Sequence, residues 1–173
     1  MEFRKTTEED LPALKKIFDD ARETMHASGI DQWTNGYPAE SDIRLDMERG
    51  ESYVLTENGE VVATAAILLA GEVTYTVIRD GKWLTESADD ENTTYAAVHR
   101  IATARALRGR GIASRVIYEA VQIAKRAGKI SLRIDTHRDN RPMQGMLARN
   151  NFTHCGTITL LSGAPRNAYE KMI

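Results

Sequence analysis

Apolar residues recur along this chain at two periods, and the switches between them lay out its elements. Residues 2 to 5 read as a short strand. Thr6 or Thr7, followed by Glu8, Glu9 and Asp10, opens a helix in which Leu11, Leu14, Phe18, Ala21 and Met25 share one face, with Pro12 in its first turn. A loop holding Ile30, Gln32, Trp33, Tyr37 and Pro38 leads to a second helix, from Ser41 as cap through Ile43 and Met47 to Gly50. Period two then takes over: Ser52 to Glu57 and Val61 to Ala70 flank Asn58-Gly59, a two-residue hairpin signal. Glu72 to Ile78 and Thr94 to Thr103 read as further strands, and the polar stretch from Thr85 to Thr93 reads as a loop. Its Asp89-Asp90-Glu91 run is a solvated charge cluster that would also attract a cationic ligand.

Helical spacing returns at Ile112, Ala113, Val116, Ile117, Ala120, Val121, Ile123, Ala124 and Ala127, and Gly128 stands where a C-terminal glycine cap belongs. Lys129 to Thr136 is a strand rich in Ile and Leu that ends in Asp135, Thr136 and His137 and returns beside the earlier strand. Asp139-Asn140-Arg141-Pro142 suits the start of a short helix running to about Arg149. Phe152 to Leu161 and Ala168 to Ile173 close the chain as two strands around Gly163 and Pro165. The order is strand, two helices, several antiparallel strands, helix, strand, helix and a final strand pair, an α/β (α+β) class.

Composition narrows the setting. The 173 residues, 42% apolar and 28% charged, suit a single domain over residues 1–173. A formal net charge of -2 argues against a broad nucleic-acid surface, which needs clustered excess Lys and Arg. No segment approaches the roughly 18 apolar residues of a spanning helix and the amino terminus lacks a signal pattern, so a cytoplasmic protein without a membrane partner is expected. Cys155 is alone and lies in a strand-like run, where a buried, inert thiol is the usual case. His26, His99, His137 and His154 are scattered, so no metal site is predicted. The terminal strand could pair across a homodimer.

The clearest chemistry lies before the long helix, in Arg108-Gly109-Arg110-Gly111-Ile112-Ala113. The first amides of a helix lack partners within it and carry the positive end of its dipole, so they donate to phosphate oxygens. Gly109 and Gly111 let the backbone turn sharply and come close to a ligand, and Arg108 and Arg110 add countercharge. The plain alternative is a loop tightened by two glycines and solvated by two arginines. A P-loop needs Lys then Ser or Thr after its last glycine, whereas Ile112 follows Gly111. A dinucleotide-binding fold is a closer rival, since Gly109, Gly111 and Ser114 nearly trace its fingerprint and Asp135 stands where a ribose-binding acid would lie. Against it, the turn begins several residues beyond the strand, Ser114 replaces the third glycine, and the upstream half reads as hairpins. No Gly-x-Ser-x-Gly elbow occurs, and Ser114 reads as a capping or ligand-facing hydroxyl.

Arg108, Gly111 and Ala113 match the Arg/Gln-x-x-Gly-x-Gly/Ala signature of the GNAT superfamily of acyl-CoA-dependent N-acyltransferases, which this chain resembles over residues 2 to 173. The preceding strand Val98-His99-Arg100-Ile101-Ala102-Thr103, Asp139-Asn140 opening a late helix, and Asn150-Asn151-Phe152 leading into the next strand extend the likeness. The resemblance implies a GNAT-like mixed, mostly antiparallel central sheet flanked by about four helices. It implies acetyl-CoA as cosubstrate, direct attack by a primary amine of a small molecule or peptide, and no metal. Backbone groups at Ile101, Ala102 and Thr103 would bond the pantetheine arm, amides of Gly109, Arg110, Gly111, Ile112, Ala113 and Ser114 would cradle the pyrophosphate, and Asn140 and Met143 would lie beside the arm.

The reaction needs an amine that sheds a proton, an oxyanion donor, here near Ile101, and an acid for the departing thiolate. Many members use a Tyr seven residues after the helix-opening Asn; Leu147 stands there, and Asn151 replaces a common glycine. His99 is the best candidate base, because an imidazole titrates near neutral pH and sits two residues from Ile101, on the same sheet face by alternation. A hydrogen-bonded sheet residue is its plain alternative. Tyr169 is a second candidate acid. Trp33 and Tyr37 would line the acceptor pocket, with core packing as the other reading. Leu147 also keeps open a non-catalytic acyl-CoA-binding module.

Overall fold

The computed structural model describes residues 1–86 and 93–173, so the expected Asp89-Asp90-Glu91 loop lies outside the described residues. Seven strands run in the sheet order β1-β2-β3-β4-β5-β7-β6: β1 (Glu2–Lys5), β2 (Ser52–Glu57), β3 (Glu60–Leu68), β4 (Tyr95–Thr103), β5 (Ser131–Thr136), β6 (Thr153–Thr159) and β7 (Pro165–Met172). The helices are α1 (Leu11–Ala27), α2 (Glu40–Glu48), α3 (Ile112–Arg126) and α4 (Arg141–Arg149). The β1/β2, β2/β3, β5/β7 and β6/β7 pairs are antiparallel and β4/β5 is parallel. This mixed, mostly antiparallel sheet with four helices is the α/β (α+β) fold read from the pattern. The chain parts into two compact units, Met1–Ile67 with Arg100–Glu119, and Leu68–His99 with Ala120–Ile173.

In the first unit the apolar stripe of α1 is seated by shape and hydrophobicity together. Leu11, Leu14, Ile17 and Phe18 are buried against Ile43 of α2, Val54 of β2 and Ala102 of β4. Ala21 and Met25, expected on that stripe, are only half-buried, because the stripe drifts with the 3.6-residue period and Ile17 takes the inner position. The entry to α1 is locked by Arg4, whose guanidinium donates twice to Asp10, at 2.7 and 2.9 Å. Helix α2 begins at Glu40, one residue before the expected Ser41 cap. Its first turn is closed from inside, by the Ala39 N–H donating to Asp42 Oδ2 at 2.7 Å.

In the second unit Tyr75, Tyr95, Ala97, Ile158 and Ala168 form the core, with Leu68, Ile78, Trp83 and Leu160 packed on it. The strand expected at Glu72 to Ile78 is a 3-10 turn, Val73–Tyr75. Glu72 Oε1 accepts both the amide and the hydroxyl of Thr74, at 3.0 Å each, and this local bonding competes successfully with a ladder. Tyr75 turns inward to 1% exposure while Val73 and Val77 stay 64% and 62% exposed. The apolar alternation therefore marked one anchor rather than a strand. The last strand is also placed differently from expectation: β7 lies between β5 and β6, so its backbone is paired on both edges and it cannot be the strand that pairs across a dimer.

A buried polar network ties this unit together. Glu170 of β7, with no exposure, accepts from Leu84 N (2.6 Å), Thr85 Oγ1 (2.5 Å), Ser131 Oγ (2.5 Å) and Arg133 Nε (3.1 Å). Arg133 is 2% exposed and lies between the rings of Trp83 and Tyr95, at 4.2 and 4.0 Å.

Candidate functional site

Within the first unit, the segment after β4 builds the anion turn. The 3-10 turn Arg105–Leu107 ends at Arg108, whose backbone is extended; Gly109 and Gly111 then adopt φ of +77° and +81°. A Cβ at either glycine would meet nothing within 4 Å, so conformation rather than crowding demands glycine and the space over the turn is open. Arg115 N donates to Gly111 O at 3.1 Å, so the turn runs directly into the first turn of α3, at the positive end of the helix. Arg108 does not stand free over this turn: its Nη1 donates to Thr24 Oγ1 of α1 at 2.5 Å. Arg110 is exposed. The residues fit an anionic group of the pyrophosphate kind. Upstream, Ala102 is 7% exposed, Ile101 and Thr103 are half-buried, and the Ala104 amide donates to Val62 O at 2.9 Å.

Also in this unit, Trp33 and Tyr37 occupy the loop between α1 and α2 but do different things. Trp33 meets Phe18 edge-on at 5.6 Å and lines a cavity of about 540 Å³ with Arg22, Glu23 and His26. Tyr37 instead accepts from Arg100 Nη1 at 2.7 Å, while Arg100 Nε and Nη2 donate to both oxygens of Asp46, each at 2.6 Å. Burial would lower the Arg100 pKa, but Tyr37 and Asp46 outweigh it and hold the guanidinium above its usual value. Arg100 also has φ of +51°, which breaks the extended backbone between His99 and Ile101. The alternation that put those two side chains on one face does not carry across it.

In the second unit the parallel ladder of β4 and β5 ends at Ala97 and Arg133, although both strands continue. Just beyond that end stand His99 and Asp135. His99 Nδ1 lies 3.9 Å from Asp135 Oδ1, and His99 Nε2 lies 3.2 Å from Glu72 Oε2. Tyr75 donates its hydroxyl to Asp135 Oδ1 at 2.8 Å and its ring lies 5.7 Å from the imidazole. Burial pushes the Glu72 carboxyl up, but His99 and the Thr74 amide and hydroxyl outweigh it and hold it at about 2. Burial, then the Asp135 charge, raise Tyr75 well above its ordinary value, so it remains a protonated donor. A histidine between two carboxylates at an opened strand pair can accept, hold and pass a proton.

Tyr169 is not brought to this group. It pairs with Ile134 in the antiparallel register, whereas Asp135 pairs with Ala168, so Tyr169 points to the opposite face of the sheet, where it meets His154 edge-on at 5.2 Å. Leu147 has no exposure, and Asn140 Oδ1 caps α4 by accepting the Met143 amide at 3.2 Å. Asn151 adopts φ of +61°, the backbone conformation that explains why glycine is the common residue there and why Asn is tolerated. Glu72, Tyr75 and Arg100 escaped the sequence reading because their partners lie 27 to 63 positions away. Asp135 stands at a strand end, where its sequence position suits the ribose of the rival fold. Among the described residues, no group of three His, Cys, Asp or Glu is placed to hold a metal ion, and no helix is long and apolar enough to cross a membrane.

Comparison with known proteins puts this geometry in context. The family model described as Acetyltransferase (GNAT) family matches residues 13–152. A GNAT-family acetyltransferase from Streptococcus agalactiae 2603 superposes with a TM-score of 0.89 at 30% identity, covering 99% of this chain and 95% of that one. The PaiA N-acetyltransferase of Thermoplasma acidophilum, solved in complex with coenzyme A, gives 0.73 at 14% identity over 99% of this chain and 98% of its own. The ribosomal-protein-alanine N-acetyltransferase of Brucella melitensis gives 0.68 at 19% over the whole of both chains. The last two show likeness of fold alone. No curated protein matches the sequence.

Proposed function

Because this chain belongs to the acetyltransferase (GNAT) family, we infer that it transfers an acetyl group from acetyl-CoA to a primary amine by direct attack, without a covalent enzyme intermediate. The single observation that carries the reading is His99 at the end of the β4/β5 ladder, between Glu72 and Asp135, on the same strand that leads into the Arg108–Ser114 turn. Acetyl-CoA supplies an acyl carbon activated as a thioester and a thiol leaving group. The amides of Gly109 to Ser114 hold its pyrophosphate, and the backbone of Ile101 to Thr103 aligns its arm.

His99 removes the proton that a protonated amine must lose before its lone pair can attack. The carboxylates of Glu72 and Asp135 stabilise the imidazolium that results. Leu147 offers no proton to the leaving thiolate, so His99 returns the one it has taken, and the second proton, which the acceptor nitrogen sheds as the amide forms, passes to solvent. Trp33 and the cavity beside it accommodate the acceptor, which is a small amine or a peptide amine. A non-catalytic acyl-CoA-binding module is the second reading, favoured by the buried Leu147 alone.

Thermal unfolding with acetyl-CoA, CoA and NADH side by side tests the reading. A ligand at about 100 times its dissociation constant stabilises the fold by about 2.7 kcal/mol. The expected result is a shift with acetyl-CoA and CoA that Arg108→Glu abolishes and Thr24→Val, which removes the tie to Arg108 and the Thr24 bond to Asp20 O, retains. CoA release with any amine of a broad panel then excludes the binding-module reading. A shift with NADH alone overturns both.

A further inference from the structure

The imidazole of His99 is held asymmetrically. Its side chain keeps 17% exposure, yet Nε2 is enclosed, with Glu72 Oε2 3.2 Å away and off the line of a full hydrogen bond. At that separation a bare nitrogen lone pair would face a carboxylate oxygen and be repelled, whereas an N–H there is attracted even when bent. The carboxylate cannot readily swing aside, because its other oxygen is fixed by the Thr74 amide and hydroxyl at 3.0 Å each. On the other side, Nδ1 faces Asp135 Oδ1 across 3.9 Å, too far for a direct bond. That oxygen already accepts the Tyr75 hydroxyl.

We propose that Glu72 is the positioning residue of His99, holding its neutral ring as the Nε2–H tautomer and leaving Nδ1 as the nitrogen that takes the acceptor's proton. The assignment of the tautomer stands on the cluster alone; what Nδ1 serves rests on the amine-acylation reading. In that step one N–H bond of the acceptor ammonium breaks, its electron pair stays on the acceptor nitrogen, and an N–H bond forms at Nδ1. The imidazolium then lies between two carboxylates, Glu72 from the segment after β3 and Asp135 from β5. Tyr75 also faces the ring, as a neutral donor committed to Asp135. Glu72 touches no reacting atom and acts through His99, as the carboxylates behind catalytic histidines do.

Imidazole nitrogen NMR of the 15N-labelled full chain tests this at a pH where His99 is neutral, its signals assigned by their loss in His99→Gln. The expected wild-type spectrum has a pyrrole-type Nε2 and a pyridine-type Nδ1. Glu72→Gln, which keeps an oxygen for Thr74, moves the population towards the Nδ1–H form. Thr74→Val, which removes one bond to Glu72 and none to His99, leaves it unchanged. With acetyl-CoA and the best amine of the panel, Glu72→Gln lowers kcat about 100-fold and moves the alkaline-rising limb of the rate profile, while Thr74→Val stays within about threefold. A wild-type ring in the Nδ1–H form, or a Glu72→Gln ring with an unchanged tautomer, overturns the proposal. An Nε2–H ring in a wild-type protein that acetylates no amine leaves the Glu72 assignment standing and overturns the acetyltransfer reading instead.

Discussion

Protonation of Glu72 gives a stability change whose size and sign follow from the site. Its carboxyl titrates at about 2 in the folded chain against an ordinary 4.5, because His99 and Thr74 together outweigh the burial that opposes them. The group's folded pKa is depressed, so its contribution is fully present above pH 4.5 and is lost as pH falls towards 2. Linkage gives a loss of about 0.4 kcal/mol by pH 4.5 and about 2 kcal/mol by pH 3, out of about 3 kcal/mol in all. The side chain is only 19% exposed, so screening removes little of this. Urea unfolding of the wild type and Glu72→Gln, repeated between pH 5.5 and 3, isolates the term as the change in their difference. The variant lacks the titrating carboxyl, so the wild type loses about 2 kcal/mol more than the variant across that window. A difference that changes by less than about 0.5 kcal/mol would show that His99 and Thr74 do not hold this carboxylate in solution, and would refute the cluster's geometry.

Further outcomes follow from the polar networks and the turn. Glu170→Ala leaves the buried Arg133 guanidinium without its partner and costs about 3–5 kcal/mol, a loss of roughly 2–4 °C in Tm per kcal/mol, whereas Glu170→Leu with Arg133→Met removes both charges and recovers only part of that loss, since the Leu84 amide and the Thr85 and Ser131 hydroxyls still lack their acceptor. Asp46→Ala strands Arg100 and costs about 3–5 kcal/mol in urea, against about 1 kcal/mol for Tyr37→Phe, which removes one acceptor only. Gly111→Ala adds a Cβ that meets nothing within 4 Å but must hold φ near +81°, so it lowers stability by about 1–3 kcal/mol in thermal melts and removes the shift with acetyl-CoA.

Much of this protein is local and therefore legible in the residues. Asn58-Gly59 marked its hairpin, Gly128 closed α3, and Asn140 opened α4, because turns and caps are decided within four residues of themselves. The Arg108–Ser114 turn was legible for the same reason: two glycines with positive φ before an apolar helical stripe set a tight turn at a helix start wherever they occur. What the sequence could not decide was which distant groups would share a site. Glu72 sat in a run read as a strand and becomes a turn whose carboxylate grips His99, and Tyr75 reaches Asp135 across 60 positions. Tyr169 was a candidate acid until the register of β5 and β7 turned it to the opposite face, since a shift of one residue in a strand reverses a side chain. Periodicity states which positions are apolar; only the pairing of strands fixes which polar side chains meet, and the charge of each then depends on the one beside it.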